Sequence, residues 1–229
     1  MAEKALIVGT GTGLSASLAR LFKKEGMEVT IASRNPDRNA DLAGALSARN
    51  YACDASDIDS VAALFEQLDA DGATPDLVVY NPSARVRGPV TDLDPVAVRD
   101  AVLVTAYGAF LVAQQAVKRM EAKGGGTILF TGASAGVKGY PNSSCFAMGK
   151  FGLRGLCQSL ARELQPKNIH IAHFVIDGGI ESAARPVPAD KPDSLLNPDA
   201  IAETYLHVYR QHRSAWTWEI ELRPWVESF

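Results

Sequence analysis

The stretch Ala5-Leu6-Ile7-Val8-Gly9-Thr10-Gly11-Thr12-Gly13-Leu14-Ser15 decides the fold. Its four apolar residues read as a short buried strand, and its alternating glycines read as a turn. Leu14, Leu18, Leu21 and Phe22 then recur at helical spacing until Glu25-Gly26 stops the helix. A glycine-rich turn between a strand and a helix lets backbone N–H groups and the positive end of the helix dipole approach a pyrophosphate. Glycines needed only for tight packing are the competing reading. The placement after a strand and before an amphipathic helix favours a dinucleotide.

The same alternation continues outward along the chain. Val29-Thr30-Ile31-Ala32, Tyr51-Ala52-Cys53, Asp76 to Tyr80, Thr127 to Phe130, Ile169 to Ile176 and Trp216 to Leu222 read as strands two to seven. Between them stand helical patterns: one opened by Asn35-Pro36, one over Asp57 to Leu68, and a long one over Pro95 to Glu121 expected to be two helices with a bend. Two more run over Ser143 to Leu164 and onward from Pro198-Asp199. Residues 181–198, rich in Pro, Ala and Asp, read as a loop or flexible lid. Apolar strands alternating with helices predict an α/β fold: one doubly wound domain over residues 1–229, with a parallel seven-stranded sheet covered by helices on both faces.

Composition narrows the function classes. The chain has 229 residues, 47% hydrophobic and 21% charged, which fits one soluble domain. A net charge of −3 argues against a nucleic-acid or membrane-surface partner. No apolar stretch approaches the roughly 20 residues that span a bilayer, and no secretory leader is expected. Cys53, Cys145 and Cys157 are isolated and read as buried thiols in a reducing compartment, so a cytoplasmic protein is expected. The four histidines show no metal-ligand spacing, and no metal site is expected.

Several positions, taken in order, resemble the short-chain dehydrogenase/reductase family over essentially the full length. Against the family pattern T-G-x-x-x-G-x-G, Val8 to Ser15 keeps two glycines, Gly9 and Gly13, and puts Ser15 at the third. Asp54, with Ala55 beside it, follows the third strand where the family has an Asp that meets the adenine. Asn81-Pro82-Ser83-Ala84 stands where it has N-N-A-G. Lys150 to Leu156 resembles the helix carrying its active-site lysine, and Asp177-Gly178-Gly179-Ile180 stands at its turn near the nicotinamide. The resemblance implies a Rossmann-type domain whose cofactor touches Gly9, Thr10, Gly11, Thr12, Gly13, Leu14, Ser33, Arg34, Asp54, Ala55, Asn81, Lys150, Gly178 and Ile180. It also implies a homodimer or homotetramer paired through the two long helices.

The second strand ends in Ser33-Arg34 rather than in the acid that holds the ribose 2′-OH of NAD. A guanidinium there suits the 2′-phosphate of NADP, with Arg38 one turn on, so NADP is expected over NAD.

The catalytic set departs from the family. The resemblance implies a Tyr, a Lys four residues later, a Ser that orients the substrate oxygen and an Asn in a proton relay. Lys150 is present, but Phe146, Ala133 and Thr105 occupy the other three places. Lys150 is expected to bond the cofactor ribose. Tyr140, Ser143, Ser144, Tyr107 and Thr105 are hydroxyls that could replace the missing acid, with a structural role the preferred reading of each. Arg85, Arg87 and Arg185 lie near the ligand edge, where solvated side chains are the preferred reading over contacts to an anionic ligand. Two functions stay open: an NADP(H)-dependent oxidoreductase on an unidentified carbonyl or alcohol with a nonstandard proton donor, or a catalytically silent NADP(H)-binding protein acting as a sensor or through a partner.

Overall fold

Each apolar run of the sequence forms a strand of one sheet in the computed structural model. The structure describes residues 2–227. The strands are β1 (Lys4–Val8), β2 (Glu28–Ser33), β3 (Arg49–Ala52), β4 (Leu77–Tyr80), β5 (Gly126–Thr131), β6 (Ile169–Ile176) and β7 (Glu219–Leu222). They pair in parallel in the order β3-β2-β1-β4-β5-β6-β7. Central strands such as β4 and β6 are buried at every residue, as a sheet covered on both faces requires.

The helices are α1 (Leu14–Lys24), α2 (Ala40–Leu46), α3 (Ile58–Ala70), α4 (Pro95–Val102), α5 (Gly108–Lys123), α6 (Ser144–Leu164) and α7 (Pro198–Tyr209). One core packs α3, α5 and α6 on the sheet through Phe65, Val112, Ala116, Leu153 and Phe130. The other packs α1 and α7 through Leu18, Phe22, Tyr205 and Phe174. The fold is therefore the doubly wound Rossmann-type α/β arrangement that the strand–helix alternation predicts. Because the chain leaves β1 first toward β3 and then toward β7, a crevice opens at the carboxyl ends of β1 and β4.

Three elements differ from the sequence expectation. Asn35-Pro36 opens a 3₁₀ turn, Pro36–Asn39, before α2 begins. β7 starts at Glu219 rather than Trp216, because Trp216 leaves the strand direction to stack on His170. The bend expected in the long helical pattern is a π-helical segment, Leu103–Tyr107, that joins α4 to α5 without a break. The joined helix, Pro95–Lys123, has 29 residues and is long and apolar enough, by length and composition, to cross a membrane. That corrects the expectation that no segment reaches spanning length. Its buried residues, among them Ala101, Thr105, Ala109, Val112 and Ala116, pack inside the protein as those of a core helix do.

Candidate active site

The glycines of the first turn do two different jobs. Gly9 has φ +82°, and a Cβ on it would meet the Pro82 backbone nitrogen at 2.6 Å, so packing and backbone conformation both demand glycine. Gly11 and Gly13 have nothing within 4 Å of where a Cβ would stand. Protein packing does not require them; their bare backbone is open to the cleft instead. Gly13 is the N-cap of α1 and offers no side-chain cap, and the first turn carries no acid. The positive end of α1 thus faces a cleft that it can use for an anion. Ser15, at the family's third glycine, is buried; its hydroxyl donates to the Gly9 carbonyl at 3.2 Å and accepts from Asn81 Nδ2 at 2.7 Å. The serine ties the glycine turn to the loop after β4 instead of merely fitting against it.

Two neighbouring clefts run from this turn. The first, of about 730 Å³, is lined by Gly9, Thr10, Gly11, Thr12, Ser33, Arg34, Asp54, Ala55 and Asn81, with Arg38 and Asn39 beside them. Asn39 Nδ2 donates to Ser33 Oγ at 2.9 Å and to the Thr10 carbonyl at 3.4 Å, which fixes the end of β2 against the glycine turn. Asp54 accepts from Ser56 N and Oγ at 2.9 and 2.6 Å; these bonds, with Arg34 adding to them, hold its carboxyl below the usual range. Arg34 and Arg38 are exposed, and among the described residues neither forms an ion pair. Two guanidiniums over an open cleft, with no acid at the end of β2, fit a phosphate better than a bare ribose diol.

The second cleft, of about 590 Å³, is lined by Gly13, Leu14, Asn81, Ala133, Phe146, Lys150, Gly178 and Ile180. All fourteen residues expected to touch a cofactor thus line one cleft or the other, and together they fit a dinucleotide. Lys150 is only 2% exposed and donates to the Thr131 carbonyl at 2.7 Å. Burial, with the Arg85 guanidinium second, pulls its pKa down to about 7. The Phe146 ring centroid lies 5.8 Å from Lys150 Nζ, so the two share a helix face as i and i+4 residues should. Ala133 packs with Phe146 and Ala135 in a small apolar cluster.

The hydroxyls weighed as substitutes do not come to this cleft. Tyr140 reaches out over Lys138, and Tyr107 stacks on Phe110 with its ring partly in solvent. Neither they nor Ser143 and Ser144 line the cavity that holds Lys150 and Phe146. Thr105 is 1% exposed, and its Oγ1 accepts from the Ala84 N–H at 3.2 Å. It also packs against Gly149, where a Cβ would approach Thr105 Cβ at 2.9 Å. At the family's Asn place, the threonine anchors the loop after β4.

That loop carries the residue sequence reading set aside. Arg85 stacks its guanidinium on Phe146, 3.8 Å from the ring centroid, and both line the second cleft with Arg185. The spacing of Arg85 and Phe146 along the chain gives no sign of this contact.

Beneath the cleft floor, His173 on β6 pairs in register with Glu219 on β7. Its Nδ1 lies 3.0 Å from Glu219 Oε2, and Arg154 grips the same carboxylate at 2.6 and 2.8 Å. Burial lowers the His173 pKa to about 4 despite the Glu219 partner, which keeps the ring neutral at pH 7.

This geometry has relatives. A family model described as short chain dehydrogenase matches residues 3–187. Trans-4-hydroxycyclohexanecarboxylate dehydrogenase of Sinomonas cyclohexanicum is 33% identical over 187 residues, covering 75% of this chain and 70% of that protein. The cis-4-hydroxycyclohexanecarboxylate dehydrogenase of the same organism is 31% identical over 214 residues, covering 87% and 86%. The crystal structure of a short-chain dehydrogenase from Rhodopseudomonas palustris superposes with a TM-score of 0.81 at 33% identity, over 96% of this chain and 99% of that one. With its sheet order, its glycine turn and its retained lysine, the chain belongs to the short-chain dehydrogenase family of NAD(P)-using oxidoreductases.

Proposed function

We propose that the protein is an NADP(H)-dependent oxidoreductase that interconverts a carbonyl and an alcohol, with Lys150 standing in for the missing tyrosine as the proton donor and acceptor. One observation carries the reading: the buried Lys150 amine, whose pKa burial pulls down to about 7, lines the cleft beside a phenylalanine that has no proton to give. General acids work best when their pKa lies near the working pH. When bound, the nicotinamide supplies or takes the hydride. The chain's share is to hold the cofactor along the glycine turn, to keep water from the buried floor, and to move one proton at Lys150 Nζ. Held at the Thr131 carbonyl through one N–H, the ammonium keeps two further N–H donors for a ribose hydroxyl and a substrate oxygen. Arg34 and Arg38, with Ser33 in place of an acid, support NADP over NAD.

The test is NADPH consumption with 4-oxocyclohexanecarboxylate, the ketone that dehydrogenation of the relatives' alcohols would yield. Carbonyl reduction needs the protonated amine, so its rate should fall as pH rises through about 7, and alcohol oxidation should rise over the same interval. Lys150→Met should remove that inflection from whatever rate remains. An unchanged profile in this variant rules out Lys150 as the proton carrier. A silent cofactor-binding protein is the second reading, favoured by Phe146 and Ala133, both apolar and buried at the catalytic places. It expects NADPH to bind and no ketone to consume it.

We also propose a homodimer or homotetramer. Tyr107, Phe110, Met148 and Phe151 leave an apolar surface on α5, α6 and the segment before α5, with Phe110 42% and Met148 57% exposed. The three cysteines are free and buried, which supports a reducing, cytoplasmic setting.

A further inference from the structure

The second cleft holds more positive charge than a cofactor accounts for. Arg85 sits on the Phe146 ring, 3.8 Å from its centroid. Partial burial, then Arg87, then Arg185 all make it easier than usual to deprotonate, so it lies within the field of both other guanidiniums. All three arginines are solvent-exposed, but two of them are held in place. Arg85 is held by the ring it stacks on, and its loop is pinned by the Ala84–Thr105 bond. Arg185 is held by its backbone: Ser182 and Arg185 exchange N–H to carbonyl bonds at 3.0 and 2.9 Å. Its Nη1 lies 3.0 Å from where a Cβ on Gly179 would stand, on the wall of the same cleft. None of the three arginines forms an ion pair among the described residues.

The acids facing this cluster are few. Glu181 lines the cleft and forms no ion pair among the described residues. Asp177, behind the wall, is committed to Arg223 and Lys138. Two cleft guanidiniums, with the Lys150 amine beside them, outnumber the one cleft carboxylate and leave room for further negative charge. Leu14, Ile176, Ile180 and Ala184 give part of the cleft lining an apolar surface, beside the polar Asn81, Ser83 and Ser182. Guanidinium forks match a planar carboxylate through paired N–H donors.

We propose that Arg85 and Arg185 clamp a carboxylate, so that the substrate is a compact hydroxy or oxo acid with an apolar body. The clamp rests on the oxidoreductase reading for its substrate, but its binding chemistry can be tested apart from turnover. Phe146 is then the platform for the clamp as well as the site of the lost hydroxyl.

Calorimetric titration of the NADPH-loaded protein with cyclohexanecarboxylate, cyclohexanecarboxamide and cyclohexylphosphonate decides it. The carboxylate should bind at least about tenfold tighter than the amide, as charge-assisted pairs allow, and at least as tightly as the phosphonate. Arg85→Gln and Arg185→Gln should each remove most of that margin while leaving the amide's affinity in place. Equal binding of acid and amide, a preference for the phosphonate, or an Arg85→Gln variant that keeps the margin overturns the clamp. NADPH titrated alone reports on the cofactor reading separately. If NADPH does not bind, the same acid–amide comparison on the cofactor-free protein still decides the clamp.

Discussion

Restoring the two missing hydroxyls is the sharpest perturbation of the candidate active site. Phe146→Tyr adds one oxygen to a ring that already lines the cleft, shares a helix face with Lys150 and lies with its centroid 5.8 Å from Nζ. Ala133→Ser adds one to the facing wall, where the side chain is 7% exposed. Neither change disturbs the ring face on which Arg85 stacks at 3.8 Å, because tyrosine presents the same face. A positioned general acid contributes about 10²–10⁴-fold. That range corresponds to about 3–5 kcal/mol of barrier. Lys150 already supplies part of this in the unmodified protein, and Thr105, committed to the Ala84 N–H, leaves the relay incomplete. The double variant should therefore gain about a hundredfold in NADPH-dependent reduction of cyclohexanone or 4-oxocyclohexanecarboxylate. Either single change should gain little, since a tyrosine without the serine meets an unoriented oxygen. The assay is loss of NADPH absorbance under saturating cofactor, with NADPH affinity measured on each variant as a control for folding. Adding Lys150→Met to the double variant should erase the gain, because the ammonium is what makes the phenol a usable acid. The reasoning is refuted if the unmodified protein reduces cyclohexanone briskly and the double variant, still binding NADPH, changes nothing.

Other outcomes follow from the same geometry. Arg34→Asp should lower the preference for NADPH over NADH by about ten- to a hundredfold in equilibrium binding, the worth of a charge-assisted pair; equal affinities in the unmodified protein would remove the basis for it. His173 is buried and neutral, with a pKa near 4 against 6.5 for the free side chain. The unfolded chain therefore binds the extra proton first, and this histidine's contribution is intact above about pH 6.5 and lost as pH falls through about 4, with up to about 3 kcal/mol at stake. Urea unfolding at stepped pH should show that loss, and a His173→Asn variant should flatten it. Light scattering at micromolar concentration should give a dimer or tetramer, and Phe110→Glu with Phe151→Glu should shift it toward monomer; a monomeric unmodified protein contradicts the apolar face as an assembly surface.

Legibility in the sequence follows the range of each interaction. The glycine turn, α1 and the strand–helix alternation are local patterns, so the sheet, its covering helices and the fourteen residues that line the two clefts could be placed from residue order alone. Gly9 and Gly11 look alike in sequence; only the fold shows that one is demanded by Pro82 and the other left bare for a ligand. The π-helical segment explains how two of the weighed hydroxyls, Thr105 and Tyr107, come to serve structure, the reading the sequence favoured. The wider turn over Leu103–Tyr107 changes which side chains face inward, burying Thr105 against Gly149 and Ala84 while Tyr107 turns out toward Phe110. Arg85, Arg87 and Arg185 are solvent-exposed, as the sequence suggests, but the stacking of Arg85 on Phe146 could not be read from it. Arg85 and Phe146 belong to different elements, and a cation on a loop reads as solvated until something is found beneath it. Compared position by position with the family, Phe146 is a deletion, one oxygen short. In the fold the same ring supports a guanidinium whose charge helps to lower Lys150. The phenylalanine at the tyrosine place, the arginine stacked on it and the lowered pKa of the buried Lys150 thus meet at one aromatic ring, and the acid–amide titration and the Lys150 pH profile probe its two sides.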